Sequence, residues 1–159
     1  MITILIISAI ICLGYAIGTK IAFKEDSISQ SYYHWKNIKE SLKDLFFGWT
    51  VLTAFSILPV WLEFTPENYQ FIAFLSSASL MFVGAFPKYL EEHRVQHFAL
   101  AINCIVLSVI WGILLHTWYI PTLLIVPIIL WKYKKYDLMW WLELAAISAI
   151  YIQLFIKLI

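Results

Sequence analysis

From residue 2 to residue 19 the chain reads ITILIISAIICLGYAIGT, without one charged side chain. Uncharged runs recur at 45–62, 69–86, 98–115 and 118–131, and a sixth apolar run, 138–158, is interrupted only by Glu143 and Lys157. At about 1.5 Å per residue, an 18-residue helix covers about 27 Å of a hydrocarbon core about 30 Å thick. In lipid every backbone N–H and C=O must be paired inside the segment, so such runs have to be helices. The charge content agrees: 13% of residues are charged, against about 25% in soluble domains. The pattern predicts an all-α membrane protein, one domain built as a bundle of six transmembrane helices. Run 118–131 is the shortest of these. There Trp131, Tyr133 and Tyr136 are expected at the interface while Lys132, Lys134 and Lys135 snorkel outward.

The longest polar interruption, residues 23–44, reads FKEDSISQSYYHWKNIKESLKD. Ser27 and Gln30 have the spacing of a capping box. Trp35, Ile38, Leu42, Leu45 and Phe46 then recur at helical intervals with Lys36, Lys39, Glu40, Lys43 and Asp44 between them. This is the pattern of an amphipathic helix lying in the interface and turning into the second span. Pro59 is expected to kink that span, and Pro87 to end the third. The first run lacks the basic flank of a signal peptide and reads as a retained helix. Its Gly14-xxx-Gly18 forms a small-residue face.

Orientation follows from the basic residues. If loops alternate sides, Lys20, Lys24, Lys36, Lys39, Lys43, Lys88, Arg94, Lys132, Lys134 and Lys135 share one side, and Lys157 alone of the eleven Lys and Arg falls on the other. The positive-inside rule then places the first, third and fifth loops in the cytoplasm, with both termini outside the inner membrane. A net charge of +1 supplies no field for nucleic acid. Cys12 and Cys104 sit inside apolar runs and read as small buried hydrophobes.

Three sets of residues carry the chemistry. Ser27, Ser29, Ser31, Tyr32, Tyr33, Trp35, Lys36, Lys39 and Lys43 form a hydroxyl-, aromatic- and lysine-rich surface for a lipid headgroup or a protein partner. The competing reading is a capped interfacial helix. His93 and His97, four residues apart, share a helix face, and with His34 and Asp137 on the same membrane edge they could hold one zinc ion and activate a water. The plainer reading is solvated interfacial histidines. Glu143 is the one acid well inside a span, where an ionisable group marks a functional position unless it pairs with Lys132 or Lys135. Asn103 and Gln153 are expected to bond between helices, and Cys104, Ser108 and Gly112 to form a strip for close contact. No phosphate-binding glycine loop, nucleophile elbow or repeat is present.

Ser27-Ile-Ser-Gln-Ser-Tyr-Tyr33, Thr65-Pro-Glu-Asn-Tyr-Gln-Phe71 and Gly84-Ala-Phe-Pro87 with Val95-Gln-His97 resemble a group of small polytopic membrane proteins of Bacteroidota and their phages. The likeness covers residues 27–97 and implies no activity. A serine-bearing first loop and a His opening the fourth span are also similar to the DRAM-like six-helix proteins. The HxxxH pair is similar to the seven-helix superfamily of alkaline ceramidases and progestin-type receptors, which use membrane-edge His and Asp for zinc. Only His93 and His97 would carry over, because this chain has one span fewer and its pair precedes the fourth span. Together the residues favour a non-enzymatic membrane protein that binds lipid or a partner, itself or another membrane protein, through its cytoplasmic face. A zinc-dependent membrane-edge hydrolase and a small transporter using Glu143 are the alternatives.

Overall fold

A computed structural model describes residues 1–89, 94–117, 119–134 and 137–159, and these are helical, with no strand among them. The α-helices are α1 (Ile2–Phe23), α2 (Ser31–Ile38), α3 (Asp44–Glu63), α4 (Gln70–Tyr89), α5 (Arg94–Leu114), α6 (Ile125–Lys134) and α7 (Leu138–Leu158). By length and composition, 5 of them (α1, α3, α4, α5 and α7) are able to cross a membrane. The fifth apolar run forms a 3-10 turn and then α6, whose 10 residues extend about 15 Å, half of a hydrocarbon core.

Three boundaries differ from the sequence reading. α1 continues beyond Thr19 to Phe23 and stops where Lys24 turns left-handed (φ 53°), its N–H closing on the Lys20 carbonyl. α4 runs through Pro87 to Tyr89. The interfacial helix does not flow into the second span: Lys39 is extended (φ −159°, ψ 131°), and a 3-10 turn at Glu40–Lys43 separates α2 from α3. The reason lies in which face is covered. α2 buries Ser31 and Tyr32, while Ile38 and Leu45, on the expected apolar stripe, remain exposed. The capping box is also shifted, because the Gln30 side chain accepts from the Asp26 N–H at 2.9 Å and Ser27 makes no capping bond.

Packing proceeds α1 to α3 to α4 to α5 to α7 and back to α1, and α6 leans on α7. In lipid, which offers no hydrophobic force between helices, close approach and interhelical hydrogen bonds would have to hold such a ring. Ser8 of α1 bonds both Ser56 of α3 and Tyr151 of α7, each at 2.6 Å. Ser76 of α4 bonds the Cys104 carbonyl and Ser108 of α5, each at 3.1 Å, and Asn103 donates to Ser79 at 2.7 Å. Thr117, just past α5, donates to Gln153 of α7 at 3.0 Å. Two glycines sit at crossings: a Cβ on Gly84 would lie 1.9 Å from Thr50 Oγ1, and one on Gly112 would lie 2.5 Å from Gln153 Oε1. Gly14 and Gly18 have nothing within 4 Å of such a Cβ, so among the described residues no other helix packs closely on that face.

The first loop closes one end of the ring. Its Asp26 carbonyl accepts from the Trp140 N–H at 2.9 Å, and Lys20 pairs with Asp137. The start of α7 therefore lies beside the end of α1, at the opposite end from the Thr117–Gln153 contact.

Candidate functional site

The polar residues at the first-loop end converge above a cavity of about 100 Å³ that is partly open to the surface. Its walls are apolar: Phe46 and Trp49 from α3, Ala101 and Ile105 from α5, Ala146 and Ile147 from α7. Ser29 of the first loop, His97 of α5 and Glu143 of α7 also line it. The cavity sits where α5 meets α7, one of the lighter contacts of the ring.

Each of the three polar residues is set by its own element. Glu143 stands in the second turn of α7, and its Oε2 accepts from the Ile28 N–H at 2.5 Å. Among the described residues it has no ion pair, and it interacts unfavourably with the charge of Glu25. Of the expected partners, Lys132 is exposed and Lys135 lies outside the described residues. His97 is buried in the first turn of α5, and its Nδ1 meets the Val83 carbonyl at 3.0 Å. A carbonyl only accepts, so Nδ1 carries the hydrogen and Nε2 of the neutral ring remains an acceptor. Ser29 Oγ lies 2.7 Å from Ser27 Oγ.

Glu25 is the residue that sequence reasoning passed over. Flanked by Lys24 and Asp26, it reads as one of three solvated charges, yet it is 2% exposed and among the described residues neither carboxylate oxygen has a hydrogen-bond partner. Burial raises its pKa to about 7, offset in part by the Thr19 hydroxyl and the Lys20 ammonium. Both are committed elsewhere: Thr19 donates to the Ala16 carbonyl at 3.1 Å, and Lys20 holds Asp137 and the Glu25 carbonyl. Asp137 is held below the usual carboxylate range by its hydrogen bond from Lys20. Nothing in residue type or spacing marks Glu25, because its burial depends on the first loop folding over the end of α7.

The remaining candidates are spread over this end. Ser27, Ser31 and Tyr32 are buried, with Ser31 donating to the Ile28 carbonyl at 2.6 Å and bonded to the Tyr15 hydroxyl at 2.9 Å. These three face the bundle and present nothing to a headgroup outside it. Tyr33 and Lys39 are exposed, and Trp35 and Lys36 are half-buried. Lys43 is paired with Glu40. His34 stacks on Phe23 with ring centres 5.0 Å apart, and it shares a separate polar groove with Arg94, Lys24 and Asp26. His93 lies outside the described residues. Among those described, no three His, Cys, Asp or Glu side chains are grouped so as to hold a metal ion.

Comparison with protein-family models, with curated proteins and with solved structures finds no match to this chain.

Proposed function

We propose that the chain is a six-span inner-membrane protein, termini outside, that binds a lipid chain without chemical turnover at its cytoplasmic, first-loop end. The observation that carries this is the cavity itself: apolar walls from helices long enough to span a membrane, with Glu143, His97 and Ser29 among its lining. Its volume of about 100 Å³ is below the roughly 150 Å³ that encloses a benzene ring. It therefore holds only a few carbons, and the rest of a chain lies in the bilayer beside it. A soluble substrate would not find such a site, whereas a lipid already resides there.

Two contacts support six crossings despite the shortness of α6. Thr117 meets Gln153 near the end of α7, whereas Asp137 meets Lys20 at the end of α1. The chain between 117 and 137 thus passes from one end of the bundle to the other. The orientation is tested with a cysteine at exposed Lys39, because both native cysteines are buried. Lys39→Cys is expected to react with an impermeant maleimide only after cells are permeabilised, and labelling in intact cells would reverse the topology.

Lipid binding is read by native mass spectrometry of the detergent-purified protein. The wild type is expected to retain a lipid-sized adduct. Ala101→Phe, which fills the cavity, is expected to lose it while keeping its helical circular dichroism. Retention in that variant would place the adduct elsewhere.

A further inference from the structure

We propose that the head of the bound amphiphile is a primary amine, received as its ammonium by the Glu143 carboxylate and His97 Nε2. The inference rests on the lipid-binding reading above and names the ligand class.

The rim of the cavity is rich in acceptors. Glu143 contributes a carboxylate with one oxygen on the Ile28 N–H. His97 has spent its Nδ1 hydrogen on the Val83 carbonyl, which leaves Nε2 to accept. The Ser29 hydroxyl can either donate or accept, and it is shared with Ser27. A head that only accepts, such as a carboxylate or phosphate, would meet one hydroxyl hydrogen and two other acceptors. A head with several hydrogens satisfies all three.

Charge selects in the same direction. Lys20 is held by Asp137 and Lys43 by Glu40, and among the described residues Glu143 has no ion pair of its own. Glu25 adds a second carboxylate close enough to oppose it. Glu25 itself lines the neighbouring groove with Lys24 and Arg94, so within the cavity it is Glu143 that an entering anion would meet and that a cation would neutralise. Buried charge is costly unless paired, and an ammonium supplies the missing pair. The same reasoning disfavours a phospholipid bearing an amine, because its phosphate would follow the ammonium toward the acids. A single-chain amine carries no such group. Its first carbons fit between Ala101, Ala146 and Ile147, and the rest of its chain continues into the bilayer.

The test uses three probes with the same chain and different heads: dodecylamine, dodecanol and dodecanoate. Each is titrated into full-length protein in nanodiscs of uncharged lipid at about pH 7.5, and bound probe is counted by native mass spectrometry. The amine is expected to bind at least about tenfold more tightly than dodecanoate, the scale of a charge-assisted hydrogen bond. Glu143→Gln keeps an acceptor for the Ile28 N–H, and so the fold, but removes the charge. It is expected to weaken amine binding at least about tenfold and dodecanol binding by much less. An unchanged helical circular dichroism spectrum shows that the variant is folded. Equal binding of the three probes to wild type, or an amine preference that survives Glu143→Gln, overturns the head-group inference and leaves the lipid reading in place. If Ala101→Phe binds all three as the wild type does, the chains are outside the cavity and both proposals fall.

Discussion

Gly84→Ala is expected to weaken the bundle by about 1–3 kcal/mol, the usual cost of forcing extra volume into a packed interior. The added Cβ would stand 1.9 Å from Thr50 Oγ1 and 2.9 Å from Thr50 Cβ. Thr50 cannot swing aside freely, because it is fully buried and its hydroxyl donates to the Phe47 carbonyl at 2.8 Å. α3 and α4 must therefore separate, and their contact is among the most extensive in the molecule. Adding Thr50→Ala should recover part of the loss by removing the nearest atom, while the remaining Cβ still crowds. Gly112→Ala offers an internal comparison. Its nearest obstacle is the terminal oxygen of Gln153 at 2.5 Å, at the far end of a longer side chain, so a smaller loss is expected. Equilibrium unfolding in mixed micelles ranks the three, and equal stabilities for Gly84→Ala and wild type would show that the two helices do not cross at this position.

Glu25→Gln is expected to stabilise the protein above neutral pH and to do little near pH 4.5. A glutamate whose folded pKa is raised holds its proton after the unfolded chain has released it, so folding pays a growing penalty as pH rises. The penalty begins at the ordinary value of 4.5 and is complete above about 7. That interval corresponds to at most about 3 kcal/mol. Glutamine has nearly the shape of the protonated acid and cannot ionise, so its stability should stay flat across the interval. Unfolding midpoints of the two proteins, measured at about pH 5 and about pH 8, should differ mainly at the higher pH. A difference that is the same at both would mean that Glu25 ionises normally in the fold.

Much of the architecture was legible because membrane helices are specified locally. The run from Leu45 to Leu62 became α3 almost to the residue, since length and apolarity alone decide whether a segment can pair its backbone in lipid. Asn103, Gln153 and the strip of Cys104, Ser108 and Gly112 were also readable, because a polar or small residue inside a span has few other uses. The candidate site was legible only in fragments. Glu143 and His97 were singled out, but Glu143 as an intramembrane acid for a transporter, with lysine pairing as the alternative, and His97 as a partner of His93. Their common cavity depends on α5 and α7 meeting, and these helices are far apart in sequence. Ser31 and Tyr32 were read as a surface because they lie in a polar stretch, yet both are buried, Ser31 on the Tyr15 hydroxyl.

The sequence by itself determined which segments are long and apolar enough to be helical in a membrane and where the polar interruptions between them fall. Those are properties of each segment against its solvent. Only the tertiary structure decided which apolar faces meet one another. Gly84 and Gly14 are the same residue in uncharged runs of membrane-spanning length, and one abuts Thr50 while the other faces open space. Lipid tails solvate an apolar face as well as another helix does, so hydropathy cannot distinguish the two. Shape and a few hydrogen bonds make that choice, and they also carry Glu25 out of water.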